Sequence, residues 1–240
     1  MRPIEKKKVG EVVSYLDSQN QMVTETIKNS YSPYSTAKMP LLGNLGWYCS
    51  YCEGCKMPSE MAVEHIKPKG ANGDETNWEN FIVSCNICNS IKGHPVIQLE
   101  SCHWPHINNT YRDFIYTAGG AVFLNPELDE DEKAKAKNLY DLIKLGAYPG
   151  NTVKPTSKDY RWRLRLETWT EAERLRDKLD AGTADVDEII RMAKKFGYWS
   201  VWFTVFKGYD EVRKRLISDF CGTCATCFDA GNHYEPIRRS

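Results

Sequence analysis

The sequence has no excess of either charge: 32 Lys and Arg stand against 32 Asp and Glu in 240 residues. It therefore lacks a whole-chain electrostatic footprint for nucleic acid, and any basic surface must be local. Long apolar runs are also missing. The longest nearly apolar stretch, Tyr198 to Phe206, falls far short of the roughly 20 residues that cross a bilayer, so no membrane association is expected. The opening MRPIEKKKVG has lysines with no apolar segment behind them. A secretory leader is not expected, and a soluble cytoplasmic protein is. There is no internal repeat and no low-complexity tract. Without an oxidising compartment, nine cysteines point to metal rather than to disulfides.

What is present is enough for folding. Hydrophobic residues make up 41% of the chain, and the 12% of aromatics concentrate in the C-terminal half. The length suits one domain, or a small domain with an appended lobe. Three segments are expected. Residues 1–40 form a polar N-terminal arm with a short helix over Val9 to Leu16. Residues 41–125 hold the cysteine pairs. Residues 126–240 are helical, which makes the fold class α+β, predominantly helical.

Local signals fill in this outline. Leu41 to Trp47 is an apolar stretch broken by Gly43, Asn44 and Gly46. Met61 to Ile66 reads as a strand, Lys67 to Asn77 as a loop rich in Gly, Pro and Asn, and Phe81 to Ser84 as a second strand. Cys85 to Lys92 has helical spacing and stops at Gly93. Phe114 to Tyr116 and Ala121 to Leu124 flank Gly119-Gly120 as a hairpin. Asp129 and Glu132 open a helix in capping-box fashion. Further helices are expected over 159–179, with Trp162, Leu166, Trp169 and Leu175 in register, and over 184–196 and 211–220.

The chemistry gathers between residues 49 and 93. Two Cys-x-x-Cys pairs, Cys49/Cys52 and Cys85/Cys88, offer the four thiolates of a structural zinc site. Cys55 is a competing ligand beside Cys52. The 32 residues between the pairs leave room for a functional insertion, and Glu64-His65 lies in it. An imidazole with a pKa near 6.5 suits a general base. A carboxylate and an amide oxygen, Glu64 and Asn89, suit a hard cation such as magnesium. Asn89 and Lys92 share a helix face, so Lys92 is expected to reach a phosphate. One difficulty is geometric: neighbours on a strand point to opposite faces, so Glu64 and His65 share a site only if the strand ends or bends there.

The pattern Cys-x-x-Cys, Glu-His-Ile-x-Pro, Asn-Trp-x-Asn-Phe, Cys-x-x-Cys-Asn-x-x-Lys-Gly resembles the HNH endonucleases, the ββα-metal nucleases, so a ββα-metal core braced here by zinc is expected. The chain is more closely similar to the PtuB family, the HNH component of Septu anti-phage systems, some of them retron-associated. That likeness extends to MRPI, to Trp104-Pro-x-x-x-Asn-x-Tyr-Arg-x-Phe, to Arg161-Trp162 through Trp169 and to Trp199-Ser-Val-Trp-x-Thr-Val-Phe. The resemblance implies His65 as general base, Glu64 in place of the usual metal-binding Asp, Asn80 as the middle residue that orients His65 or its loop, and Asn89 as second ligand. It implies Mg²⁺ or Mn²⁺ as the catalytic ion beside structural Zn²⁺, a DNA or RNA substrate, and a PtuA-like ABC-type ATPase as partner. A non-catalytic zinc-knuckle scaffold that binds nucleic acid is the alternative.

Other segments carry weaker signals. Cys221, Cys224, Cys227 and His233 have the spacing of a second zinc site, set against a tail of free thiols. Cys102-His103 offers two further donors. Lys154 to Arg165 interleaves basic residues with Tyr160 and Trp162, as a nucleic-acid contact or as a solvated helix face. Arg213 to Arg215, and Arg191 with Lys194 and Lys195, are expected on solvated faces.

Overall fold

The structure, a computed structural model, describes residues 1–239. Where a helix was expected near the N-terminus, the chain forms a hairpin. Strand β1 (Val12–Leu16) pairs antiparallel with β2 (Met22–Thr26), Val13 opposite Glu25 and Tyr15 opposite Val23. The adjacent β-branched Val12 and Val13 favour an extended backbone. The turn is closed by Asp17, whose carboxylate accepts from the amides of Gln19 and Gln21. Helix α1 (Lys38–Leu45) follows and packs on β1 at Gly43, where an added Cβ would lie 3.0 Å from Ser14 O. Gly43 thus serves close packing inside a helix, and Asn44 beside it accepts from the Lys7 amide at 2.8 Å.

Strands β3 (Met61–His65) and β4 (Phe81–Cys85) are antiparallel, with Met61 opposite Cys85 and His65 opposite Phe81. Helix α2 (Asn86–Lys92) starts directly after β4 and ends at Gly93, whose φ of 60° stops it. A short hairpin, β5 (Phe114–Tyr116) with β6 (Val122–Leu124), forms around Gly119-Gly120 as expected. Helix α3 (Glu130–Leu142) is capped by Asp129, whose carboxylate accepts from the Glu132 amide at 2.8 Å.

The C-terminal half is built from α4 (Arg161–Asp180), α5 (Val186–Phe196), α6 (Trp199–Val205) and α7 (Asp210–Asp219), followed by a two-residue ladder, β7 (Phe228–Asp229) with β8 (Glu235–Pro236). Helix α6 is buried on nearly every side; Trp199 stacks on Phe203 with ring centroids 4.5 Å apart. The inward stripe of α4 is Arg161, Arg165, Thr168, Ala172 and Leu175. The expected stripe of Trp162, Leu166 and Trp169 is only half-buried, and Trp162 packs edge-on against Tyr148. Two arginines can line the buried face because each finds acceptors there: Arg161 on Asp159 and two carbonyls, Arg165 on Gly120 O. The basic run at the start of α4 is therefore turned partly inward and offers less to a phosphate than its sequence suggests. Arg213, expected on a solvated face, is likewise buried and donates to Phe203 O and Glu235.

One junction joins the halves of the chain. Gly54 bridges to Gly197, and the Tyr198 amide donates to Glu53 O at 2.8 Å. A Cβ on Gly197 would sit 2.4 Å from Cys55 N, so only glycine fits where the first cysteine turn meets the α5–α6 corner. Glu53 Oε1 then accepts from the Arg2 amide and from Ser200 Oγ. The segment at residues 1–4 is thus packed into the body: Met1 and Ile4 are buried, and the Arg2 guanidinium donates to Leu45 O and Cys221 O.

Candidate active site

Cys49 and Cys52 sit in a tight turn in which the Glu53 amide donates to Cys49 O and the Cys49 amide to Gly54 O. Cys85 ends β4 at the N-cap of α2, and Cys88 lies in the first turn of that helix. The four sulfurs come within 4.8 Å of one another, and all four residues are buried. Tetrahedral zinc with Zn–S near 2.3 Å requires S···S edges of about 3.8 Å, and Cys52 and Cys85 are 3.8 Å apart. The all-sulfur donor set and its spacing fit zinc. Cys55 stands outside the group, half-buried, so the sulfurs that gather are those at positions 49, 52, 85 and 88. Arg161 Nη1 points at Cys88 Sγ from 3.5 Å, its fork fixed on Asp159 at 2.7–2.8 Å. One guanidinium would thereby offset part of the negative charge that four thiolates retain when they hold a divalent ion.

The β3–β4 hairpin and α2, anchored at this cluster, shape a cleft of about 290 Å³. Glu64, His65, Asn89, His94, Tyr34 and Lys69 all line it. His65 is the last residue of β3, so the cleft opens at the strand's end and receives side chains from both of its faces. That removes the difficulty of two adjacent residues on one strand.

Each group has a defined setting. His65 Nε2 is 3.0 Å from Glu75 O. A carbonyl only accepts, so Nε2 carries the proton and Nδ1 of the neutral ring keeps its lone pair. The ring is held edge-to-face between Tyr34 and Phe81, and burial pushes its pKa below the ordinary histidine value. Asn80 does not line the cleft. It grips the following loop: Oδ1 accepts from the Lys67 amide, and Nδ2 donates to Lys67 O and Asp74 O. The loop so fixed delivers Glu75 O to His65. Asn89 has no side-chain hydrogen bond to any described residue. Glu64 is 2% exposed. Burial pushes its carboxyl up, opposed by the Lys92 ammonium 2.7 Å from Oε1.

Lys92 departs from expectation. Its side chain is 1% exposed and bound to Glu64 and to His65 O, so it does not project toward a phosphate. Three lining residues, Tyr34, Lys69 and His94, were not singled out from sequence. His94 had a signal available, since it follows the Lys-Gly of the pattern directly. Tyr34 had none, lying in a turn some thirty residues before the strand it covers.

Other candidates do not assemble. Among the described residues the Cys49, Cys52, Cys85 and Cys88 group is the one cluster of potential metal ligands. Cys221 is exposed while Cys224 and Cys227 are buried, and His233 turns to Asp210 at 2.9 Å. His103 is held by Asp113 at 3.0 Å.

Residues 49–94 match the HNH endonuclease family. The match covers both cysteine pairs, the β3–β4 hairpin, α2 and His94. No curated protein matches the chain. Residues 49–94 are thus similar to the domain of the HNH endonucleases, a class of metal-dependent nucleases that act on nucleic acid. No helix among the described residues is long and apolar enough to cross a membrane.

Proposed function

We propose that the protein is a metal-dependent endonuclease that hydrolyses phosphodiester bonds at the Glu64–His65–Asn89 cleft. The observation that supports this most is the set of uncommitted atoms inside the HNH domain. Glu64 Oε2, His65 Nδ1 and the Asn89 amide have no partner among the described residues, and their side chains line one cleft. Oxygen donors suit a hard cation. Glu64 Oε2 and the Asn89 oxygen would hold magnesium or manganese, which when bound supplies positive charge for the phosphorane and the leaving 3′ oxygen. His65 Nδ1 takes the proton of the attacking water, with the ring locked by Glu75 O and two aromatic edges. Asn80 keeps the loop that carries Glu75 O in place. Arg161 and the four cysteines hold α2 and β4 at the angle that brings Asn89 toward Glu64.

The protein further acts, in this reading, as the effector of a Septu-like defence complex with a PtuA-like ATPase. The support is the resemblance of segments outside the HNH domain together with a neutral overall charge, which suits a nuclease that borrows substrate affinity from a partner.

The test is incubation of plasmid DNA and of structured RNA with Mg²⁺ or Mn²⁺, with and without the ATPase, for the wild type and His65→Ala. Cleavage lost in the variant supports the nuclease. Equal inactivity of both proteins in every condition favours the zinc-knuckle scaffold.

A further inference from the structure

Lys92 occupies an unusual place for a lysine beside a carboxylate proposed to bind a cation. It is the last residue of α2, whose N-cap and first turn carry two of the four clustered cysteines. Its ammonium reaches back across the hairpin's end and makes two contacts: Glu64 Oε1 at 2.7 Å and His65 O at 2.8 Å. Both ionic side chains are almost completely buried, at 1% and 3% exposure. The two oxygens of Glu64 are treated differently. Oε1 also faces the Tyr51 hydroxyl at 3.5 Å, whereas Oε2 has no partner among the described residues.

A buried carboxylate without a counter-charge is strongly disfavoured, and Lys92 supplies one from within the fold. The pair is neutral, so a divalent ion meets little net attraction there until a phosphate joins it. Two positive charges close together in a partly dry site repel by several kcal/mol even at an effective dielectric near 20.

We infer that Lys92 is a positioning residue and internal counter-charge: it clamps Glu64 Oε1 and the His65 carbonyl, aims Oε2 into the cleft, and keeps the ion loosely bound until nucleic acid arrives. This rests on the nuclease reading for its functional meaning, but its main readouts do not require cleavage.

The test compares wild type, Lys92→Met and Lys92→Arg after desalting, with zinc content verified as equal. Mn²⁺ affinity is measured by titration calorimetry, and thermal melting is followed with and without Mn²⁺. Lys92→Met should bind Mn²⁺ at least about tenfold more tightly, since 1.4 kcal/mol of removed repulsion suffices. It should also melt lower than wild type without the ion and gain a larger upward shift with it, because the ion then neutralises an otherwise unpaired carboxylate. Lys92→Arg, which keeps the charge, should retain wild-type Mn²⁺ affinity. In cleavage assays Lys92→Met should lose kcat while KM for nucleic acid stays unchanged. Unaltered Mn²⁺ affinity in Lys92→Met overturns the inference, as does a raised KM with intact kcat, the signature of a phosphate contact. Should Lys92→Met fold only with Mn²⁺ present, that dependence itself supports the counter-charge role; failure to fold under both conditions, with Lys92→Arg also binding Mn²⁺ more tightly, overturns it. A wild type that cuts nothing refutes the nuclease reading and leaves the Mn²⁺ comparison decisive for Lys92.

Discussion

Replacing Arg161 with methionine should do more than remove a surface charge from a basic helix. The guanidinium is 6% exposed and Asp159 is 4% exposed, joined through Nε–Oδ1 at 2.8 Å and Nη2–Oδ2 at 2.7 Å. The same fork donates to Ile143 O and Lys144 O at 3.0 Å and to Cys88 Sγ at 3.5 Å. Burial alone would push the Asp159 carboxyl up; Arg161 beside it holds it below the usual carboxylate range. Removing one partner of a buried pair typically costs about 3–5 kcal/mol, because the other charge is left without compensation. Two carbonyls and a thiolate also lose a donor here, so the upper part of that range is expected. Asp159→Asn combined with Arg161→Met should lose less than Arg161→Met alone, since no uncompensated charge remains. Urea unfolding of wild type, the single and the double variant measures this, with zinc release to a colorimetric chelator followed in parallel. Zinc should leave Arg161→Met faster, because the four sulfurs keep their negative charge without the guanidinium. A single variant within about 1 kcal/mol of wild type, releasing zinc at the wild-type rate, would refute the argument that α4 braces the cysteine cluster.

Other perturbations separate roles within the molecule. His65→Ala should lower kcat by about 10²–10⁴-fold, the usual loss of a general base, with folding unchanged by circular dichroism. Asn80→Ala strips three backbone groups of their partner and should cost about 1–3 kcal/mol in urea unfolding; its kcat should fall as the loop bearing Glu75 O loosens, and wild-type kcat would show that the loop does not hold His65. His106 offers a pH test. Burial pushes it down to about 3, helped by Lys6 and Arg239, and its Nδ1 has no partner. The native state keeps it neutral while the unfolded chain takes up a proton near 6.5, so stability is full above that value and falls as pH drops toward about 3. That amounts to about 2 kcal/mol at pH 5, lost by wild type beyond what His106→Met loses over the same pH step; equal losses would show that His106 is not held neutral. Stripping the structural ion with a strong chelator should unfold the hairpin–helix unit, read as lost near-ultraviolet dichroism that zinc alone restores.

The parts of the site that lie close in sequence were legible before the structure, and the reason is covalent. Two Cys-x-x-Cys pairs dictate their own geometry, and a strand, a loop, a strand and a helix in that order leave few ways to close around one ion. The four sulfurs gather accordingly, and Cys55 stays out because the turn ends at Gly54. The helix caps at Asp129 and Gly93 were legible for the same reason, since a cap is decided within four residues. What sequence did not reveal depends on distant partners. Val9 to Leu16 was expected to be helical and pairs as a strand, because the residues that decide it are Met22 to Thr26 across a turn and Gly43 beneath. The tryptophans of α4 looked like its core stripe, yet Arg161 and Arg165 are the buried ones. Hydrophobic periodicity cannot register that a carbonyl at residue 120 and a carboxylate at 159 wait for them. Lys92 is the sharpest case. Helical spacing placed it on the face of Asn89, where a reach outward to phosphate was the expectation, and it folds inward to Glu64 instead. The choice turns on the 2% exposure of Glu64: a carboxylate buried that deeply is strongly favoured by a cation at hand, and Lys92 is the side chain the fold places against it.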